Sequence, residues 1–333
     1  MSIKTTSPLL TFFCELEPEA LHILFSDPEL FSILKRLNAS LSLGIIDLSL
    51  QRAEIVKQLN RAGIPVTAWL LLPKEEGYWF NIDNASCALR RFMAFKTWSA
   101  HHNLQWSKIG LDIEPDLRLM EKLSRQGWPA LKQFLAQSFN QRRLFHASID
   151  YRILINQIRL DGHPVESYQF PLIQDERSAG SNLLQTMTGI LDLPVDREVL
   201  MLYTSFNRQY GLEFLQSYAQ NAQGIAIGVT GGGIILDNIV NPQDLTWEEF
   251  QRDLLISSQN TPYVYIFSLE GCVRHGFLPK LLDFDWEQPK QALLPINRVS
   301  ILRKIIRPIL WFTAHPWLLL TFLLGFILWK RRK

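Results

Sequence analysis

Cysteine is scarce in this chain. Cys14, Cys87 and Cys272 are the only three in 333 residues, they lie far apart in apolar runs, and they fit neither a zinc pattern nor a disulfide framework. Buried thiols are the role this spacing implies. Seven histidines show no H-E-x-x-H spacing, so zinc-protease chemistry is excluded. Net charge is low as well, at +2, and much of the positive charge sits at Arg303, Lys304, Arg307 and the closing Lys330-Arg-Arg-Lys333. The rest is mildly acidic, which argues against nucleic acid as a partner. A spaced glycine fingerprint is also missing. Gly231-Gly-Gly233 lacks both G-x-G-x-x-G and the lysine and serine of a P-loop, so it reads as a loop, and no cofactor is implied. Near the N-terminus the apolar run Leu9–Cys14 is short and meets Glu15 and Glu17 at once, unlike a secretory signal.

What the chain does have is a repeat of apolar strands and helical stretches. Strands are expected at 9–14, 43–48, 66–72, 109–114, 165–170, 198–204, 224–229 and 263–269, with helical spacing between them. That alternation predicts an α/β fold, a (β/α)8 TIM barrel over residues 8–285, with an open doubly wound sheet as the alternative. Residues 286–307 read as a basic linker. From Pro308 to Trp329 the chain carries no formal charge apart from His315, and Trp311, Trp317 and Trp329 stand near its ends. This pattern predicts a single transmembrane helix over 308–329, followed by a basic tail at 330–333. Single-pass membrane localisation follows, with the barrel on the cytoplasmic side, although the charges flanking the span barely decide its orientation.

The stretch Lys108-Ile-Gly-Leu-Asp-Ile-Glu-Pro-Asp116 concentrates the chemistry. Strand periodicity puts Asp112, Glu114 and Asp116 on one side, opposite Leu111 and Ile113. One reading is a solvated strand end leading into a helix that welcomes acids in its first turn. The other is an acid/base site at the carboxyl end of a buried strand. In a barrel the same rim receives Glu15, Asp47, Tyr203 and Glu270. A negative Asp112 beside Glu114 favours the protonated form of its neighbour, which makes Glu114 the expected general acid. Trp69, Trp79, Tyr168 and Tyr203 offer flat faces for a sugar, and they serve equally well as core fillers. Oxygen ligands from Asp112, Glu114 and Asp116 suit magnesium better than zinc, but no dedicated metal site is assigned.

Gly110-Leu-Asp-Ile-Glu114 resembles the fourth-strand signature of the chitinase-like glycoside hydrolases, which are (β/α)8 barrels. The resemblance implies that Glu114 protonates a glycosidic oxygen and that Asp112 assists an N-acetyl group of the substrate. Ser107 and Gly110 stand where that signature has further aspartates. Sliding the match by two residues makes Asp116 the acid instead. Glu114-Pro115 also resembles the Asn-Glu-Pro motif of other barrel glycosidases, with Ile113 in place of asparagine and no glutamate closing the seventh strand. Two functions are thus expected. One is a membrane-anchored enzyme acting on a carbohydrate or lipid-linked sugar, with Glu114, Asp112, Asp116 and Glu270 as catalytic candidates and Glu15, Asp47, Trp69, Trp79, Tyr168 and Tyr203 as binding candidates. If Glu114 and Glu270 act as a pair, their separation decides between retention and inversion. The other is a non-catalytic barrel serving as a binding or assembly module.

Overall fold

The structure is a computed structural model that describes residues 7–116, 140–233, 243–289 and 294–315, together with 317, 321 and 330. Eight strands, β1 (Leu9–Cys14), β2 (Ser40–Ile45), β3 (Val66–Leu70), β4 (Lys108–Ile113), β5 (Val165–Gln169), β6 (Arg197–Met201), β7 (Gly224–Gly228) and β8 (Tyr263–Phe267), close in sequence order into a barrel. Every neighbouring pair is parallel, and β1 closes on β8 with Phe13 opposite Phe267. Before β8 run α1 (Pro18–Leu24), α2 (Pro28–Arg36), α3 (Leu50–Arg61), α4 (Ala85–His101), α5 (Gln141–Leu160), α6 (Leu172–Ala179), α7 (Leu183–Thr188), α8 (Gly211–Ala219) and α9 (Trp247–Ser258). After it come α10 (Leu269–Arg274), α11 (Phe277–Leu282) and α12 (Arg298–Ala314). The closed barrel excludes the open doubly wound sheet.

Strand parity divides the core in two. Leu10, Phe12, Leu41, Leu43, Ile109, Leu111, Ile225 and Ile266 point outward into the layer under the helices. Phe13, Trp69, Tyr168, Val199, Met201, Ala226 and Tyr265 fill the barrel itself. Both sets are buried, which explains why these strands read as continuous apolar runs. At the N-terminal end of the strands, Glu166 Oε1 accepts hydrogen bonds from Lys108 Nζ (2.6 Å), Arg197 Nη1 (2.7 Å) and Tyr265 Oη (2.7 Å). This charged plug closes one end of the barrel.

Only β1 keeps its expected bounds, and the largest differences are at β2 and β6. β2 stops at Ile45 because the residues beyond it serve α3: Ser49 Oγ caps the helix at Arg52 N, and Asp47 binds the Arg52 guanidinium. β6 stops at Met201 because the chain turns into a 3-10 helix at Thr204–Asn207.

The C-terminal expectation is corrected. Among the described residues no helix is long and apolar enough to cross a membrane. Residues 308–314 are the end of α12, which starts at Arg298 inside the expected linker and packs along α6 and α8. Arg303 and Arg307 both bind the buried Asp175 carboxylate, at 2.9 and 2.7 Å, and Leu310 is buried. Two arginines and a buried carboxylate thus tie this helix to the barrel. Of the rest of the expected span, only His315, Trp317 and Thr321 lie within the described residues. The transmembrane helix, the membrane as partner and the single-pass localisation are withdrawn with it.

Candidate active site

β4 delivers the central pair. Lys108, Gly110 and Asp112 share the inward parity, which continues to Glu114 just past the strand. Asp112 is buried at 2% exposure, and its Oδ2 accepts from Trp69 Nε1 at 3.1 Å across the β3–β4 pair. Among the described residues its Oδ1 receives no N–H or hydroxyl, and the carboxyl hydrogen-bonds that of Glu114. Glu114 is half-buried at the rim, and its backbone N–H donates to the Phe80 carbonyl, which ties the β4 end to the loop after β3.

Gly110 stands where the chitinase-like signature carries an aspartate, and the reason is steric. A Cβ built there would lie 2.5 Å from Tyr168 Oη. Tyr168 is 1% exposed, bonds Ser42 Oγ at 2.6 Å and meets Phe13 edge-on at 4.7 Å. It is a barrel filler, below the mouth.

The other carboxyls come from β1 and β8. Glu15 follows β1 and accepts a hydrogen bond from Tyr78 Oη at 2.6 Å. Its own backbone N–H donates to Glu270 Oε1 at 3.4 Å. Glu270 lies in the first turn of α10. Gly231, Gly232 and Gly233, all at positive φ, press on these groups. A Cβ on Gly232 would sit 2.3 Å from Glu270 Oε1, and one on Gly233 would sit 3.3 Å from Glu15 Oε2. The glycine run is a close-packed wall of the mouth, required by both φ and space.

The electrostatics tie the carboxyls together. Burial pushes Glu114 up to about 8, and the charge of Glu15 adds to the rise while Asp112 opposes it. Burial likewise takes Glu15 to about 8, against the pull of the Tyr78 hydrogen bond, with the charges of Asp112 and Glu270 raising it further. Glu270 reaches about 7 through burial, countered by its own backbone amide and Ser268. Asp112 rises well above the usual carboxylate range through burial and then through the charge of Glu114. The sequence reading had the Asp112 charge holding the proton on Glu114. In the structure the charge that adds to the rise of Glu114 is that of Glu15, and Asp112 is itself raised by burial and by the charge of Glu114.

The remaining candidates separate. Trp69 is 3% exposed and serves Asp112 rather than a ligand face. Tyr203 is half-buried between Phe206 and Phe267, and the charges of Asp112, Glu114 and Glu15 all reach it. Trp79 is half-buried and edge-on to Tyr78 at 5.7 Å. Asp47 is engaged by Arg52, at 2.9 Å to Nε and 2.7 Å to Nη2, and by Ser49 N, so it organises the β2–α3 turn. Asp116 is buried at the Gly77 turn, where a glycine Cβ would lie 3.0 Å from its Oδ2. Asp112, Glu114 and Asp116 do not converge, and among the described residues no group of three or more His, Cys, Asp or Glu is arranged to hold a metal ion. Tyr78 is the partner that residue-by-residue reading passed over. Its only sequence signal is the aromatic run Tyr78-Trp79-Phe80 after β3.

The fold and mouth together define a (β/α)8 barrel with four carboxyls at the C-terminal end of its strands. No protein-family model matches this chain, and no curated protein matches it. Among solved structures it is similar to ScGas2 in complex with compound 8, with 14% identity and a TM-score of 0.37 over 80% of this chain and 57% of that one. It is also similar to the exo-beta-1,4-mannosidase Op5Man5 from Opitutaceae bacterium strain TAV5, with 10% identity and a TM-score of 0.40 over 92% of this chain and 60% of that one. The chain spans less than two thirds of either protein. Both likenesses are remote, and neither assigns a family.

Proposed function

We propose that this barrel cleaves or transfers at a glycosidic bond of a carbohydrate, with Glu114 as the general acid and Asp112 beneath it as its orienting partner. The observation that carries the reading is the setting of Glu114. It is half-buried at the β4 end, above a buried carboxyl and facing the charge of Glu15. A carboxyl in that setting keeps a transferable proton near neutral pH and stays accessible to a ligand. Among the described residues no lysine or arginine is ion-paired with Glu15, Asp112, Glu114 or Glu270. Arg208 binds Glu249, and Arg274 binds Asp244. Structural carboxyls at this depth are normally neutralised by a cation. The chitinase-like resemblance of Gly110–Glu114 supports the same assignment, with Tyr168 occupying the space of the missing aspartate.

The test is Glu114→Gln assayed on a panel of oligosaccharides with and without N-acetyl groups. The variant should lose about 10²- to 10⁴-fold in rate with little change in ligand affinity. The second reading, a binding barrel without catalysis, draws on the absence of a carboxylate at the β7 end, where Val229-Thr-Gly-Gly stands. Saturable binding by a parent protein that hydrolyses no member of the panel would establish that reading instead.

A further inference from the structure

A further carboxyl whose charge reaches Glu114 follows β1. Resting on the glycosidase reading above, we infer that Glu15, held by Tyr78, is the second reacting carboxyl of the site, the general base that activates the attacking water. Glu270 is then a positioning residue that steadies Glu15 through its backbone.

Three geometric observations support this assignment. Tyr78 is 5% exposed and spends its hydroxyl on Glu15 Oε1, so that oxygen is fixed and Oε2 is left to act. Oε2 lies under the Gly233 backbone, where only a glycine leaves room for it. Glu270 offers Oε1 to the Glu15 amide, while its Oε2 is buried with no partner among the described residues. A carboxylate that is itself wedged under Gly232 is poorly placed to reach a substrate. On the acid side, Asp112 is buried beneath Glu114 and hydrogen-bonds its carboxyl.

Burial takes Glu15 and Glu114 alike to about 8, so the two roles rest on placement, with the Tyr78 hydrogen bond favouring the charged form of Glu15 and any charge there favouring the proton on Glu114. In the step itself, Glu114 gives its proton to the glycosidic oxygen as the C1–O bond breaks with its electron pair going to that oxygen. Water forms the new C1–O bond and gives a proton to Glu15. One water is consumed, two hydroxyls are formed, and solvent returns the proton from Glu15 to Glu114.

The experiment uses the full chain and a panel of β-1,3- and β-1,4-linked gluco-, manno- and N-acetylgluco-oligosaccharides, with pH–rate profiles and the anomeric configuration of the first product read by proton NMR. Glu15→Gln should lose about 10²- to 10⁴-fold in kcat with KM nearly unchanged, and should move the alkaline limb of Glu114 to lower pH. Tyr78→Phe should keep the fold and shift the acidic limb upward, because Glu15 loses the donor that favours its charge. Glu270→Gln should cost less than Glu15→Gln, and the product should be inverted. A Glu15→Gln rate within a few-fold of the parent, or the large loss falling on Glu270→Gln instead, overturns the assignment. A retained product overturns the base role alone and leaves Glu114 as the acid. A parent inert on the whole panel overturns the glycosidase reading, and this inference with it.

Discussion

Trp69 Nε1 donates to Asp112 Oδ2 at 3.1 Å, from one barrel strand to the next. That bond determines which way the Asp112 carboxyl turns. One oxygen is tied to β3, and the carboxyl also hydrogen-bonds that of Glu114. The indole is itself packed edge-on against Phe13, Tyr168 and Phe267, so its orientation is set by the barrel filling and not by the loops. Asp112 is thereby oriented by the core, as a group that positions a catalytic partner requires.

Trp69→Phe keeps an aromatic ring and removes the donor. Asp112 Oδ2 is then a buried acceptor without its donor, and stability should fall by about 1–3 kcal/mol. Urea denaturation measures the loss. In Asp112→Leu protein the same Trp69 change should cost less on this account, because no acceptor remains to be orphaned.

Much of this arrangement is legible in Lys108–Asp116. The alternation of Ile109, Leu111 and Ile113 with Gly110, Asp112 and Glu114 is enough to separate outward from inward side chains, and the eight apolar runs are enough to suggest a closed barrel. Partner choice is not legible, because it depends on distances between strands. Asp47 looked equivalent to Glu15 at a strand end, yet Arg52, five residues on along α3, folds back to claim it. The tail misled for a related reason. Hydropathy of 308–329 contains no information that Asp175, 128 residues before Arg303, is waiting for the arginines just upstream.

Stability should fall as pH rises through neutrality. Glu15 and Glu114 at about 8 and Glu270 at about 7 all lie above the ordinary value of 4.5. A group raised in the folded state binds its proton more tightly there than in the unfolded chain. Its contribution is fully present below the unfolded value and is lost as pH climbs through the folded one. The urea midpoint should therefore decline between about pH 4.5 and about pH 8. Glu15→Gln and Glu114→Gln should each flatten that decline. A midpoint that rises over the same interval would reject the protonated carboxyl cluster.

Asp175 tests the docking of α12. Its carboxylate is 2% exposed and takes Arg303 Nε, Arg307 Nε and the Tyr218 hydroxyl, with the Arg303 guanidinium lying 3.6 Å over the Tyr218 ring. Removing the one anion leaves two arginines facing each other. Asp175→Ala should cost about 3–5 kcal/mol, the range for breaking a buried pair from one side. Hydrogen exchange should show faster exchange in α12 than in the barrel strands.

Gly110 tests whether the missing aspartate of the β4 signature is a steric matter. A methyl group there would meet Tyr168 Oη at 2.5 Å and Cζ at 2.8 Å, and Tyr168 has little freedom to retreat, since Ser42 holds its hydroxyl and Phe13 its ring. Gly110→Ala should therefore cost about 1–3 kcal/mol through overpacking. Tyr168→Leu removes the obstructing phenol at the cost of a cavity, and in that background Gly110→Ala should be close to neutral, because the added methyl now fills space that the ring vacated. The double-mutant cycle reads this as a favourable interaction energy between two residues on adjacent strands, Gly110 standing opposite Glu166 and Tyr168 opposite Asp112. If Gly110→Ala costs the same in both backgrounds, Tyr168 is not the obstacle, and glycine at 110 needs another cause. If the cost vanishes with Tyr168→Leu, the aspartate of the related signature is excluded here by a single ring, and Asp112 works as the lone buried carboxyl beneath Glu114.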